Sequence, residues 1–77
     1  MAHIYLHRSN DRGVVLDRNG SDVADLAEAR QCAVRAIQAL IALPGPEDWR
    51  EWILHVSDEE GEEIFDVPFS SVLGRSH

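Results

Sequence analysis

Apolar and polar residues alternate near both ends of the chain, and a helical spacing lies between these two regions. Residues 3–7 alternate as in a half-buried strand, and residues 14–16 predict a second strand after a turn-rich break. Residues 52–56 and 65–69 alternate around a turn that ends at Gly61, which can take the positive φ that a bulged turn requires. The pattern therefore predicts two β-hairpins.

The segment between the hairpins has the spacing of an amphipathic helix. Asp25 followed by Glu28 is typical of a capping box at a helix start. Pro44 is expected to end the helix, because proline disfavours the α conformation at Leu43 and cannot donate its own hydrogen bond. The apolar positions that fall on one helical stripe are Leu26, Ala29, Ala33, Ile37 and Leu40.

The element order ββαββ predicts an α+β fold in two layers, a four-stranded, mostly antiparallel sheet with one helix on one face. The helix reverses the chain direction, so the second and third strands run parallel to each other. Placing the first strand between them gives the order 2-1-3-4, which we favour; the order 2-1-4-3 stays open at this point. The sheet residues expected to face the helix are Ile4, Leu6, Val14, Leu16, Trp52, Leu54, Val56, Phe65, Val67 and Phe69.

The opposite side of the sheet, called the open sheet face below, is predicted to be unusually apolar. Monomeric proteins seldom leave large apolar patches in water, so this face is a candidate interaction surface. Its expected members are His3, Tyr5, His7, Val15, Asp17, Ile53, His55 and Ile64.

Length and charge narrow the functional classes. The 77 residues predict a single domain spanning 1–77, with an ordered core at about 3–70 and a frayed C-terminal tail. The net charge is −7, and residues 47–66 carry nine acidic side chains against one arginine. Such a field repels phosphates, which disfavours nucleic acid as a partner, and it attracts basic proteins.

The single cysteine, Cys32, and the lack of a basic, apolar leader predict a cytoplasmic protein. No apolar run approaches the roughly 20 residues of a membrane helix, so no membrane association is expected.

Candidate chemistry in the sequence is weak. His3 and His7 are four residues apart on a strand, roughly 13 Å, and cannot share one metal ion without a neighbouring strand. Ser9 near His7 and Asp17 lacks the glycine pattern of a nucleophile turn. We therefore predict no catalytic, cofactor-binding or metal-binding residues and no cofactor, and an enzymatic role is not favoured.

The chain resembles a family of short bacterial proteins of unknown function. These have a Tyr/Phe-rich first strand ending in His, an Asp-Leu-capped, alanine-rich helix, and a Trp-led hairpin ending in Val-Pro-Phe. The resemblance covers roughly residues 3 to 73, with one departure at Leu6, where the family more often has Phe. It implies a shared fold and no specific activity. The other matching positions are Tyr5, His7, Asp17, Gly20, Asp25, Leu26, Ala29, Arg30, Ala33, Trp52, Leu54, Val56, Asp58, Gly61, Val67, Pro68 and Phe69.

Three functional hypotheses follow from these observations. The favoured one is a non-enzymatic protein-interaction module, either a homodimer or a subunit of a larger assembly, joined through the open sheet face. The second is an acidic, antitoxin-like protein that neutralises a basic protein partner. The third is a small-ligand or metal binder that uses the histidine-bearing sheet face.

Overall fold

The computed structural model describes residues 2–45 and 48–73 of the chain. Of the C-terminal tail that was predicted to fray, residues 74–77 lie outside the described part. The elements in chain order are β1 (Ala2–Asn10), β2 (Gly13–Val15), β3 (Ser21–Val23), α1 (Leu26–Ile41), a 3₁₀ turn (Trp49–Glu51), β4 (Ile53–Ser57), β5 (Glu63–Pro68) and α2 (Phe69–Leu73).

The sheet confirms the predicted α+β class. Its antiparallel strands follow the order β2-β1-β4-β5, with α1 against one side. This path corresponds to the favoured order 2-1-3-4, and the alternative 2-1-4-3 is wrong because β4, the third expected strand, pairs directly with β1. Pro68 ends β5, which is an edge strand in this path. Because proline lacks a backbone N–H, it is tolerated at such an edge, where no hydrogen bond to a further strand is needed.

The strand order differs from the expected one by an additional strand, β3. The nine residues of β1 are too many for the three-residue β2 to cover, and β3 pairs with the remaining part of the same edge, Ala2–Ile4. The loop between β2 and β3 returns the chain to this edge, and Val23 at the end of β3 is buried in the core. The segment 21–23, for which the sequence pattern predicted no element, is therefore sheet.

The helix α1 begins and packs largely as predicted. Asp25 Oδ1 accepts the backbone N–H of Glu28 at 2.8 Å, and Glu28 Oε1 accepts that of Ala24 at 3.1 Å, one residue before the expected partner. Ala29 and Ala33 are fully buried, and such small side chains let the helix approach the sheet closely. Leu26 is the exception in the predicted stripe, since 57% of it is exposed.

An aromatic group closes one end of the core. Phe69, predicted to continue the last strand, instead begins α2, and its backbone N–H donates to the Trp52 carbonyl at 2.9 Å. Its ring lies 5.5 Å from Trp49 and 6.4 Å from Trp52, centroid to centroid. Phe69 is completely buried, so the expected burial is confirmed, although Phe69 lies in a helix and not in the predicted strand.

The faces of β2 are the reverse of those predicted. Arg8 is opposite Val15 and Ser9 is opposite Val14, and directly opposed residues project to the same side of a sheet. Arg8 is on the α1 side, so Val15 belongs there, and its predicted place on the open sheet face is wrong. Val14 takes that place, and Leu16, predicted to be core, is 61% exposed.

Candidate functional site

The open sheet face is built from alternate residues of β1 and β4. His3, Tyr5 and His7 follow one another along β1 on the side away from α1, as the alternation of a strand requires. The ring centroids of His3 and Tyr5 are 5.1 Å apart, and those of Tyr5 and His7 are 6.2 Å apart. The three rings form a continuous row, as the sequence predicts.

A second row runs across the strands. His7 is directly opposite His55, and His55 is directly opposite Asp66, so one imidazole pair and a carboxylate lie side by side on β1, β4 and β5. Ile53 lies on the same face, opposite Ser9 of β1. The structure therefore brings His3, Tyr5, His7, Ile53 and His55 to one face.

His3 is held between two oxygen acceptors. Its Nδ1–H donates to Asp22 Oδ1 at 2.6 Å, and its Nε2–H donates to the Asn19 carbonyl at 3.0 Å. Only the doubly protonated ring can make both bonds. The hydrogen bond to Asp22, followed by that to Asn19, raises the pKa of His3 above its ordinary value of 6.5.

This environment predicts a specific pH dependence for the His3→Gln variant. A raised pKa stabilises the folded state fully below pH 6.5, and the contribution is lost as the pH rises through the higher value of the folded protein. We expect the free energy of unfolding to differ more between wild type and variant at about pH 5.5 than at about pH 8.5. Urea unfolding at both pH values measures this, and Asp22→Asn should flatten the same dependence. An equal difference at both pH values contradicts it.

His7 is fixed by the loop that contains Asp17. The backbone N–H of Asp17 donates to His7 Nδ1 at 2.9 Å, so this nitrogen is unprotonated in that contact. The Asp17 carboxylate accepts the backbone N–H groups of Leu6, Asn19 and Gly20 at 3.1–3.2 Å. Burial acts to raise the pKa of Asp17, but these three hydrogen bonds outweigh it and hold that pKa below its ordinary value. Asp17 is thus a fixed anion that anchors the loop to β1.

His55 lies between a hydroxyl and a carboxylate. Ser9 Oγ is 2.7 Å from His55 Nε2, and Glu63 Oε1 is 2.7 Å from His55 Nδ1. The Asp66 carboxylate completes a group of three, because ligand atoms of His55, Glu63 and Asp66 all lie within 4.8 Å of one another. Ser9 therefore contacts His55, and not His7 and Asp17, the combination that was considered and not favoured from the sequence.

The order serine, histidine, carboxylate also occurs in nucleophilic enzymes, but the surroundings of Ser9 do not support that chemistry. Acyl transfer needs N–H donors aimed at the developing oxyanion. Ser9 is in mid-sheet, opposite Val14 on one side and Ile53 on the other, where backbone N–H groups lie in the sheet plane and bond to neighbouring strands. The three side chains act here as a hydrogen-bonded chain that orients the His55 ring.

Sequence reasoning missed Glu63 for a structural reason. Glu63 and Asp66 are three residues apart and would ordinarily project from opposite faces of a strand. The register shift between Val56 and Ser57 places Glu63 opposite Ser57, on the same face as His55. Ile64 lies at this irregularity and is 46% exposed. Ser9, in contrast, could have been placed on the open sheet face from the sequence, since it is two residues after His7 on the same strand.

A groove of about 420 Å³ opens on the other side of the molecule, between the second half of α1 and the strands β1 and β2. Its walls include Leu6, Leu16 and Leu40, and Arg8 lies within it. The Arg8 guanidinium carbon is 5.8 Å from the Trp52 ring centroid, and the Arg8 Nε has no hydrogen-bond partner in the described part of the chain. Asp17, which was predicted to be on the open sheet face, also lines this groove on the α1 side of the sheet.

Comparison with known proteins identifies a family for this chain but no activity. A family model described as a domain of unknown function (DUF6894) matches residues 3–70. Comparisons with curated proteins and with solved structures gave no match. In residues 2–45 and 48–73, no helix is long and apolar enough to cross a membrane.

Proposed function

Since the chain belongs to the DUF6894 family, whose function is unknown, we propose a function from the geometry of the structure. The protein is a non-enzymatic interaction module that pairs with a second copy of itself through the open sheet face. The observation that carries the proposal is that α1 and α2 pack on the same side of the sheet, whereas no described element covers the other side. That side presents Tyr5 and Ile53, with the exposed side chain of Val14 towards the β2 edge; Ile64, also exposed, lies at the irregularity of the β5 edge.

The charges on this face favour a second copy as the occupant. The His3 imidazolium is on the β3 side of the face, and the carboxylates of Glu63 and Asp66 are on the β5 edge. In a dimer packed sheet to sheet, a two-fold axis that lies between the sheets and runs parallel to the strands reverses the order of the strands in the second copy. The β3 side of one copy then lies over the β5 side of the other. Each imidazolium then approaches carboxylates of the partner, and the patch is paired with itself.

A basic protein is the second candidate partner, and the charge distribution favours it. Residues 53–68, which form the β4–β5 hairpin, contain six acidic residues and no lysine or arginine, and they create a negative field there. Salt distinguishes the two candidates. Screening relieves the repulsion between two strongly acidic protomers, whereas it weakens attraction to a basic protein.

The single cysteine agrees with a reducing environment, and we include a cytoplasmic location in the proposal.

Light scattering after size exclusion tests the dimer at about 100 μM and about pH 7.5, a concentration at which modest interfaces form. We expect a dimer for the wild type and a monomer for Tyr5→Glu and Ile64→Glu, because each variant buries a carboxylate without a partner. Leu26→Glu is the matched control, since it makes the same kind of change on the exposed side of α1 and should leave the dimer intact.

The dimer proposal fails if the wild type is a monomer under these conditions, or if both Tyr5→Glu and Ile64→Glu remain dimeric. Far-UV circular dichroism of each variant shows that loss of the dimer is not loss of the fold. Raising the salt from about 50 to about 300 mM should strengthen the dimer, because the relieved repulsion between two strongly acidic chains outweighs the weakened attraction of one imidazolium per chain to the partner's carboxylates.

A further inference from the structure

We infer that His55, Glu63 and Asp66 form a binding site for one first-row divalent metal ion of the Zn²⁺ type. This site goes beyond the proposed dimer and does not require it, because all three ligands belong to one chain. Glu63 and Asp66 are also the carboxylates that the proposed dimer places near the partner's imidazolium, so an ion bound here competes with that contact. Zn²⁺ and similar ions accept nitrogen and oxygen ligands together, as one imidazole and two carboxylates would provide. Three protein ligands leave a fourth coordination position for water or another ligand.

The distances are compatible with a single ion. Metal–ligand bonds of about 2.0–2.2 Å place two ligand atoms of one ion roughly 3.4 Å apart in a tetrahedral site. The present distances are 2.7 Å between His55 Nδ1 and Glu63 Oε1 and at most 4.8 Å within the group. Glu63 and Asp66 are exposed, so rotation of their side chains supplies the adjustment of about 1 Å.

The bulge is the first observation that distinguishes this group from ordinary surface acids. Without the register shift between Val56 and Ser57, Glu63 and Asp66 would project from opposite faces of β5. The shift turns Glu63 towards His55 and leaves Asp66 directly opposite His55. Bulges commonly re-aim one side chain in this way next to functional sites.

The position of Ser9 is the second observation. Histidines that bind a metal through one ring nitrogen usually hydrogen-bond through the other, which fixes the ring. His55 Nε2 lies 2.7 Å from Ser9 Oγ, so Nδ1 is the nitrogen directed at the two carboxylates. When Nδ1 binds the ion, Nε2–H donates to the Ser9 hydroxyl oxygen, and the neutral ring changes tautomer without losing this contact.

The same face provides an internal comparison. His3 also pairs with a carboxylate, that of Asp22, but its Nε2 contacts the Asn19 carbonyl, and no second carboxylate joins it among the described residues. His3 has the hydrogen bonds of a fixed imidazolium, a form that cannot bind a metal. Selective binding is therefore expected at His55.

Isothermal titration of the intact protein with ZnCl₂ at about pH 7.5, in a buffer that does not chelate zinc, tests the site. We expect one ion per chain, with affinity lowered at least about tenfold in Asp66→Asn and Glu63→Gln, and about tenfold in Ser9→Ala. Glu60→Gln is the matched control, because it removes the same charge from the same hairpin outside the site; it should change the affinity less than about twofold. Imidazole ¹⁵N spectra should show the change of tautomer at His55.

Three results would overturn the site. The first is no saturable binding up to about 1 mM Zn²⁺, a very weak affinity. The second is an equal loss in Glu60→Gln and Asp66→Asn, which indicates diffuse attraction to the acidic hairpin. The third is a response of the His3 or His7 ring without one of His55. Amide spectra of each variant confirm that it is folded, and Cys32→Ser excludes zinc bound through the thiol.

Discussion

Replacing Phe69 by alanine is expected to lower the free energy of unfolding by about 3–5 kcal/mol, the range for large aromatic residues in protein cores. Phe69 is completely buried against Trp49 and Trp52, and its side chain joins α2 to the main core. A domain of this size has stability near the low end of about 5–15 kcal/mol. Phe69→Ala should therefore be largely unfolded at 37 °C, as thermal unfolding monitored by circular dichroism will show.

Two leucines serve as controls for this experiment. Leu40 is only partly buried against the core, so Leu40→Ala should lower the free energy of unfolding by less, about 1–2 kcal/mol. Leu26 is 57% exposed, and Leu26→Ala should change stability by less than about 0.5 kcal/mol. If Phe69→Ala melts within a few degrees of Leu26→Ala, α2 does not pack as described.

Gly20→Ala is expected to cost more than about 2 kcal/mol of stability. Gly20 has a φ of +71°, which is unfavourable for any residue with a Cβ. An added Cβ would also lie 2.7 Å from the Ile4 carbonyl oxygen and 2.9 Å from His3 Cδ2, distances that require the backbone of β1 or the ring to move.

Gly61 provides the comparison for this substitution. Its φ is also positive, +83°, but an added Cβ would meet nothing within 4 Å, so Gly61→Ala should show only the conformational cost of about 1–2 kcal/mol. Urea unfolding of both variants separates conformational strain from steric overlap. If Gly20→Ala and Gly61→Ala lowered the free energy of unfolding equally, the β2–β3 loop would move away from β1 without an energetic cost.

The elements that were predictable from the sequence are those with long periodic patterns or local capping chemistry. The stripe of α1, the Asp25–Glu28 cap and the turn at Gly61 depend on interactions within a few residues, and the structure contains all three. The row His3, Tyr5 and His7 was predictable for the same reason, since strand alternation alone places these rings on one face.

The features that were not predictable depend on register between distant segments. β2 and β3 have three residues each, too short for a periodic pattern, and a shift of one residue in pairing moved Val15 from one face to the other. The irregularity at Val56 and Ser57 likewise turns Glu63 towards His55. The contact between Glu63 and His55 was therefore not predictable from the sequence, although both residues were within the second predicted hairpin and a histidine-bearing face had been expected.

The edge formed by β5 has a consequence for aggregation. An exposed edge strand offers unpaired backbone groups to other chains and can seed fibrous assembly. Here Pro68 removes one donor, the irregularity at Ser57 distorts the strand, and Glu62, Glu63 and Asp66 bring negative charges that repel the same edge of another copy. Continuous edge-to-edge growth of sheets is thereby disfavoured, so a concentrated solution of this protein should favour closed assemblies of limited size over fibrils.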